Sequence, residues 1–205
     1  MKLFIFIFLI SFPLFAEDFL PTSFSTDYEE SFKSAASGKI KKSFGKIDYK
    51  YPKQIRFEVL NPDPSTFVAN AKTSWYYTAP FIEGEEGQVV IQPSKDLALT
   101  KFLDSLKKGL KGNDAFSVFI KSEKLTLKFT DKTKKQLQLQ EAILTTSSAD
   151  ASKVASLSGF NQLELIHLDG NKLNFKFTGF KSNVNHPANH FEFKIPPHTK
   201  QNNSK

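Results

Sequence analysis

The chain has 205 residues, with 28 basic against 21 acidic groups, a formal net charge of +7, 22 phenylalanines, one tryptophan and no cysteine. Lack of cysteine excludes disulfides and leaves no thiol to carry a lipid anchor. Arg56 is the single arginine, and arginine is the side chain suited to two-pronged reading of base edges. A surface charged almost wholly by lysine argues against a nucleic-acid partner and fits anionic lipid head groups or an acidic protein patch.

Met1-Lys2 followed by the apolar run Leu3–Ile10, a break at Pro13 and a small residue at Ala16 reads as a secretory signal peptide over 1–16, too short for a membrane span. Residues 17–205 then suit a single domain, exported to the periplasm or beyond it. Phe24 to Lys33 admits two readings. Phe24, Tyr28 and Phe32 are spaced by four and Thr26-x-x-Glu29 forms a capping-box pattern, so periodicity alone favours a helix, and the strand reading rests on the resemblance described below. Next comes period-two alternation, with Ile47, Tyr49 and Tyr51, then Ile55, Phe57 and Val59, the mark of strands with one buried face. Ile40 and Phe44 fall out of phase with Ile47, and a bulge near Gly45 would return both groups to one face.

After Pro93 the period changes. Leu99, Phe102, Leu103, Leu106 and Leu110 recur at helical spacing, predicting an amphipathic helix over 94–110 of about four turns. Ser94 is expected to cap it, with Asp96 in the first turn, Lys107 and Lys108 in the last, and Gly109 or Gly112 to end it. No other segment reads as a clear helix. Alternation resumes at Leu125, Leu127 and Phe129, at Leu137 and Leu139 among three glutamines, at Leu173, Phe175 and Phe177, and at Phe191, Phe193 and Ile195. Residues 145–159 read as a loop, Asp169-Gly170-Asn171 as a hairpin turn, and everything after Pro196 as a loose polar tail.

Catalytic signatures are lacking. There is no Gly-x-Ser-x-Gly elbow, and Glu85-Glu86 sits in a glycine-flanked turn. His186, His190 and His198 fall within thirteen residues, and His186-x-x-x-His190 has metal-ligand spacing for a helix. Pro187 stands against a helix there, so the expectation is a polar loop with no metal. Lys39, Lys41, Lys42, Lys46, Lys50 and Lys53 read as a basic stripe, either a lysine-blunted strand edge or a docking surface.

Several of these blocks, in order, resemble the LolA family of periplasmic lipoprotein carriers. Phe24-Ser25-Thr26-Asp27-Tyr28 is similar to the family's opening strand Phe-Ser-Ala-Asp-Phe-x-Gln, which favours the strand reading. Gly45 to Pro52 resembles its Gly-x-x-x-x-x-Arg-Pro hairpin, Arg56-Phe57-Glu58 its Arg-Trp-Glu, and Thr73 to Pro80 its Leu-Trp-x-Tyr-x-Pro strand. Gln88-Val89-Val90-Ile91 resembles Gln-Val-x-Val, and Phe191 to Pro197 the closing Phe-x-Phe-x-Pro-Pro. There are two departures. Tyr51 stands where the family carries its latch arginine, and only Glu17–Ser23 is available for the usual first helix.

The resemblance implies a mainly β fold, a strongly curved antiparallel sheet forming an incomplete, open barrel with the 94–110 helix as lid. It implies a non-enzymatic monomer that takes acylated lipoproteins from an inner-membrane lipoprotein-releasing ABC transporter to an outer-membrane acceptor, without a cofactor. The positions expected to line the lipid cavity are Phe24, Tyr28, Ile47, Tyr49, Phe57, Val59, Trp75, Tyr77, Val89, Ile91, Leu127, Phe129, Phe175 and Phe177. Leu99, Phe102, Leu103 and Leu106 are expected on the lid, and Tyr51 at the latch. The physics agrees with a carrier: at about 0.8 kcal/mol per buried methylene, a sixteen-carbon acyl chain gains roughly 12 kcal/mol by leaving water. A carrier or sensor of another envelope lipid, a glycolipid or phospholipid, fits the same scaffold, and a periplasmic enzyme is a third reading.

Overall fold

Apolar residues on every second position build strands β1 (Ser23–Lys33), β2 (Ile40–Lys50), β3 (Gln54–Asn61), β4 (Ser65–Ala69), β5 (Thr73–Thr78) and β6 (Gly87–Pro93). Helix α1 (Ala98–Leu106) follows, then β7 (Phe116–Lys121), β8 (Lys124–Phe129), helix α2 (Asp131–Leu137), β9 (Leu139–Thr146), β10 (Phe160–His167), β11 (Lys172–Ser182) and β12 (Thr199–Asn203). This is the content of a computed structural model that describes residues 18–34, 37–82, 84–95, 97–107 and 109–203. The signal peptide expected over 1–16, and Asp96 and Lys108 of the expected helix, lie outside the described residues. Among those residues no helix is long and apolar enough to cross a membrane.

All twelve strands join one sheet in the order β12-β6-β5-β4-β3-β2-β1-β11-β10-β9-β8-β7. Neighbours run antiparallel except β12, which lies parallel to β6. The sheet is not closed; β12 and β7 are its edges. Cross-strand register assigns the faces, because directly opposed residues project to the same side. One face carries Phe24 opposite Tyr49, Ile47 opposite Phe57, and Leu127 opposite Ala142 and Val118. The main core lies on this face, where Phe24, Tyr49, Phe116, Leu125, Leu127, Phe129, Leu144 and Phe160 are buried together with Leu106 of α1. The opposite face is crossed by an irregular strap, residues 183–198, which runs from β1 to the β6 edge.

Strand is the outcome for Phe24 to Lys33, and Asp169-Gly170-Asn171 forms the turn between β10 and β11. Four local expectations are corrected. The helix is shorter than 94–110, and its N-cap is Leu97 without a side-chain cap. The Ser94 hydroxyl instead donates to the Asn70 carbonyl, which ties the approach to α1 to the β4–β5 turn. The helix ends at Leu106 with Lys107 as its C-cap, and Gly109, at φ +99 with its N–H on the Leu106 carbonyl, lies just beyond that end in a conformation that glycine adopts readily. Second, Leu137 closes α2 and only Leu139 opens a strand, with Gln138 left-handed between them. Third, Phe191, Phe193 and Ile195 belong to the strap and not to a strand, while the polar tail does form one, β12. Fourth, β2 pairs with β1 without interruption, so Ile40 and Phe44 stay on the outer face, 65% and 46% exposed. The irregularity opposite Gly45 is on β3, where Leu60 is the extra residue between Val59 and Asn61.

Candidate functional site

The face beneath α1 gathers ten of the expected cavity positions: Phe24, Tyr28, Ile47, Tyr49, Phe57, Val59, Leu127, Phe129, Phe175 and Phe177. Near its middle an aromatic group forms around Tyr28. The Tyr28 ring stacks on Phe57 with centroids 4.8 Å apart and meets Phe175 edge-on at 5.6 Å. Its hydroxyl reaches across Gly45 to donate to the Glu58 carbonyl at 3.1 Å. Burial, with Glu30 and Glu58 nearby, pushes that hydroxyl's pKa up, so it remains a donor.

Helix α1 lies over this face and is held at both of its sides. Phe102 meets Phe116 and Phe129 edge-on, at 6.0 and 5.2 Å. Leu103 packs against the same core and Leu106 is buried in it, whereas Leu99 is 37% exposed. On the other side, Asp104 accepts from the Tyr49 hydroxyl at 2.8 Å and from the Lys53 backbone N–H at 3.1 Å. Burial and the bond to Asp104 push the Tyr49 hydroxyl up in turn. Tyr51, at the expected latch, has the Lys107 ammonium 5.7 Å from its ring centroid, and Lys107 also pairs with Asp18. The cation therefore comes from just beyond the helix, and the β2–β3 turn supplies the ring that receives it.

Asp104→Ala leaves the Tyr49 hydroxyl buried without an acceptor, a loss of about 1–3 kcal/mol. The urea midpoint is expected to fall accordingly, and Asp104→Asn, which retains an acceptor, to fall less.

Trp75, Tyr77, Val89 and Ile91 stand on the other face. Trp75 lies opposite Val68 and Ile91, and Tyr77 opposite Val89, in phase with Arg56 and Asp48 of β3 and β2. The strap crosses this face and meets Tyr77. Ser23 Oγ donates to the Val184 carbonyl at 2.8 Å, Asn70 Nδ2 to the Phe191 carbonyl at 3.3 Å, and Phe193 lies 5.3 Å from the Tyr77 ring. Under the strap, Asp48 meets both histidines of the pair that Pro187 had counted against. Asp48 is 1% exposed, and its Oδ2 lies 2.8 Å from His190 Nε2. The His186 and His190 rings stack with centroids 4.7 Å apart. Helical spacing was the wrong criterion, since a turn over 188–191 brings the rings together without a helix. Burial would raise the Asp48 carboxyl, but hydrogen bonding from Ser25 and His190 and the charge of Lys46 outweigh it and hold it below the usual range. Burial pushes the His186 imidazole down.

Two open grooves mark the surface. One of about 440 Å³ lies among Glu30, Phe32, Lys41, Ser43, Val59 and Asp63, and one of about 360 Å³ lies over Tyr28, Gly45 and Leu60. The lysines do not form the expected stripe along an edge. β2 is an interior strand, Lys42 pairs with Glu29 on the outer face at 2.7 Å, and Lys41, on the alternate face, lines the larger groove.

The sequence model of the family described as "Outer membrane lipoprotein carrier protein LolA" matches residues 21–194, nearly the whole described chain. The chain belongs to the LolA family. A curated outer-membrane lipoprotein carrier protein from Photobacterium profundum is 28% identical over 178 residues, covering 86% of this chain and 80% of that one. Another from Vibrio campbellii is 29% identical over 177 residues, covering 84% and 76%. A solved LolA superfamily protein from Nitrosomonas europaea, 13% identical, overlaps 87% of this chain and 92% of its own at a TM-score of 0.45. An uncharacterized conserved protein from Thermus thermophilus overlaps 89% and 91% at 0.49 and 12% identity. LolA family members are outer-membrane lipoprotein carriers and not enzymes, in keeping with the resemblance carried by the strand motifs.

Proposed function

We propose that this chain is a periplasmic chaperone that binds the acyl chains of lipoproteins against the sheet face beneath α1. It takes them from an inner-membrane ABC transporter and delivers them to an outer-membrane acceptor. The observation that carries this reading is the reach of α1. Phe102 touches Phe129 on β8 while Asp104, two residues on, touches Tyr49 on β2, and β1, β11, β10 and β9 lie between those strands in the sheet. A flat sheet would separate β2 from β8 by about 24 Å at roughly 4.8 Å per strand, near the limit of what one helix about 10–12 Å across bridges with the side chains on either side of it. That contact supports a sheet bent around α1, an incomplete barrel with the helix as its lid.

The lid is suited to moving. It is nine residues long, has no side-chain N-cap, and so depends on tertiary contacts for its stability. Acyl chains offering about 0.8 kcal/mol per methylene compete for the same apolar surface that Phe102, Leu103 and Leu106 occupy. Cargo must bind tightly enough to leave the donor and loosely enough to reach the acceptor, which needs differential affinity and no covalent step.

The test is native mass spectrometry of protein purified without detergent, alone and with a synthetic diacylated lipopeptide, followed by release of lipoproteins from inner-membrane vesicles bearing the transporter. Binding of the lipopeptide and release into solution are expected. A chain that binds no diacylated peptide and releases no lipoprotein would overturn the reading, and co-purification of a glycolipid or phospholipid in its place would redirect it.

A further inference from the structure

We propose that Asp48, His186 and His190 form a zinc-type divalent metal site that fastens the C-terminal strap to the outer face of the sheet. Asp48 on β2 is far in sequence from the two strap histidines, yet the three ligand atoms lie within 4.8 Å of one another. This site is on the face opposite α1, and its assignment does not rest on the carrier reading.

Two buried atoms in the cluster lack a hydrogen-bond partner, Asp48 Oδ1 and His186 Nε2. Buried polar atoms are nearly always satisfied, and each orphan carries a desolvation penalty of about 1–3 kcal/mol. Both orphans belong to metal-ligand atom types, and His186 is only 7% exposed. A cation between them satisfies both at once. Ser25 lies directly opposite Asp48 on β1 and supports the carboxylate.

The donor set selects the ion. Two imidazole nitrogens with one carboxylate suit Zn²⁺ and its neighbours in the first transition row, whereas Mg²⁺ and Ca²⁺ require oxygen ligands. The His190 side chain is 23% exposed, so the site opens to solvent on that side, where water can complete the coordination. Lys46 Nζ, 3.4 Å from Asp48 Oδ1 without a hydrogen bond, is the competing cation. Its side chain is 40% exposed and can swing outward when the metal binds.

Chelator-treated full chain is titrated with Zn²⁺ by calorimetry and with Co²⁺ followed by visible absorption. One ion per chain is expected, with ligand-field bands of a low-coordinate N/O site. Zn²⁺ should raise the Tm. Asp48→Asn and His186→Gln should each lose at least about tenfold in affinity, while Lys46→Gln should gain affinity. If the ligand variants fail to fold, histidine ring NMR of the unmodified chain decides the matter: Zn²⁺ should shift the signals of His186 and His190 and leave those of His167 and His198 in place. Absence of saturable Zn²⁺ binding, unchanged affinity in folded His186→Gln, or shifts confined to His167 and His198 would overturn the assignment.

Discussion

Gly45→Val is expected to destabilise the protein by about 3 kcal/mol or more, at the upper end of what single substitutions do. The position lies in the middle of β2, flanked by β1 and β3, where valine would ordinarily be favoured over glycine. Space reverses that preference. A Cβ on Gly45 would lie well inside contact distance of the Glu58 carbonyl oxygen, 2.5 Å from the Tyr28 hydroxyl oxygen and 2.7 Å from its Cζ. Rotating Tyr28 away does not relieve the clash, because the Glu58 oxygen is backbone. It would also break the hydrogen bond from Tyr28 to that carbonyl and the stack on Phe57. Urea denaturation measures the loss. Gly112→Ala, whose new Cβ meets its nearest atom at an ordinary 3.5 Å, is the control and should change stability by no more than about 0.5 kcal/mol. A Gly45→Val protein as stable as the unmodified chain would show that the Tyr28–Gly45–Glu58 packing is not the constraint described.

That packing also shows how far alternation carries an argument. Alternation identifies which residues of one strand share a face, and Leu125, Leu127 and Phe129, or Phe175 and Phe177, were legible on that basis. It does not say which face of the sheet a strand's apolar set adopts relative to its neighbours. Trp75 and Tyr77 alternate as Ile55 and Phe57 do, yet the register places Trp75 with Val68 and Arg56 on the strap side. Both faces read apolar because both are covered, one by α1 and the other by the strap.

Where polarity and alternation pointed the same way for the wrong reason, the sequence misled. β12 is Thr-Lys-Gln-Asn-Asn, with no apolar period, and it is held by backbone pairing along the β6 edge. Leu137 and Leu139 alternate, but Leu137 ends a helix whose signals are Thr130 before Asp131 and Lys134 and Lys135 in the last turn. Of the Asp48–His186–His190 group, the histidine spacing was legible, but its meeting with Asp48 could not be read. Its parts are joined by the path of the strap, and no spacing rule encodes that path.

A diacylated lipopeptide should report on Phe57 and leave Trp75 unaffected. Phe57 lies on the α1 face, stacked on Tyr28 and edge-on to Phe175 at 6.3 Å. Trp75, the single tryptophan, lies on the strap face. A carboxylate set among acyl methylenes without a partner costs several kcal/mol, so Phe57→Glu is expected to weaken lipopeptide binding at least about a hundredfold, the equivalent of ~3 kcal/mol. Trp75→Phe keeps an aromatic under the strap and should leave affinity within about threefold. Emission provides a second readout that does not depend on affinity. Saturating lipopeptide should leave the fluorescence of the unmodified chain unchanged, whereas a Phe57→Trp, Trp75→Phe double variant, whose indole faces α1, should shift to shorter wavelength as water leaves. The reverse pattern, a shifted Trp75 with normal binding by Phe57→Glu, would move the acyl site to the strap face. The sheet face under α1 would then be a filled core, and the strap would be the lid.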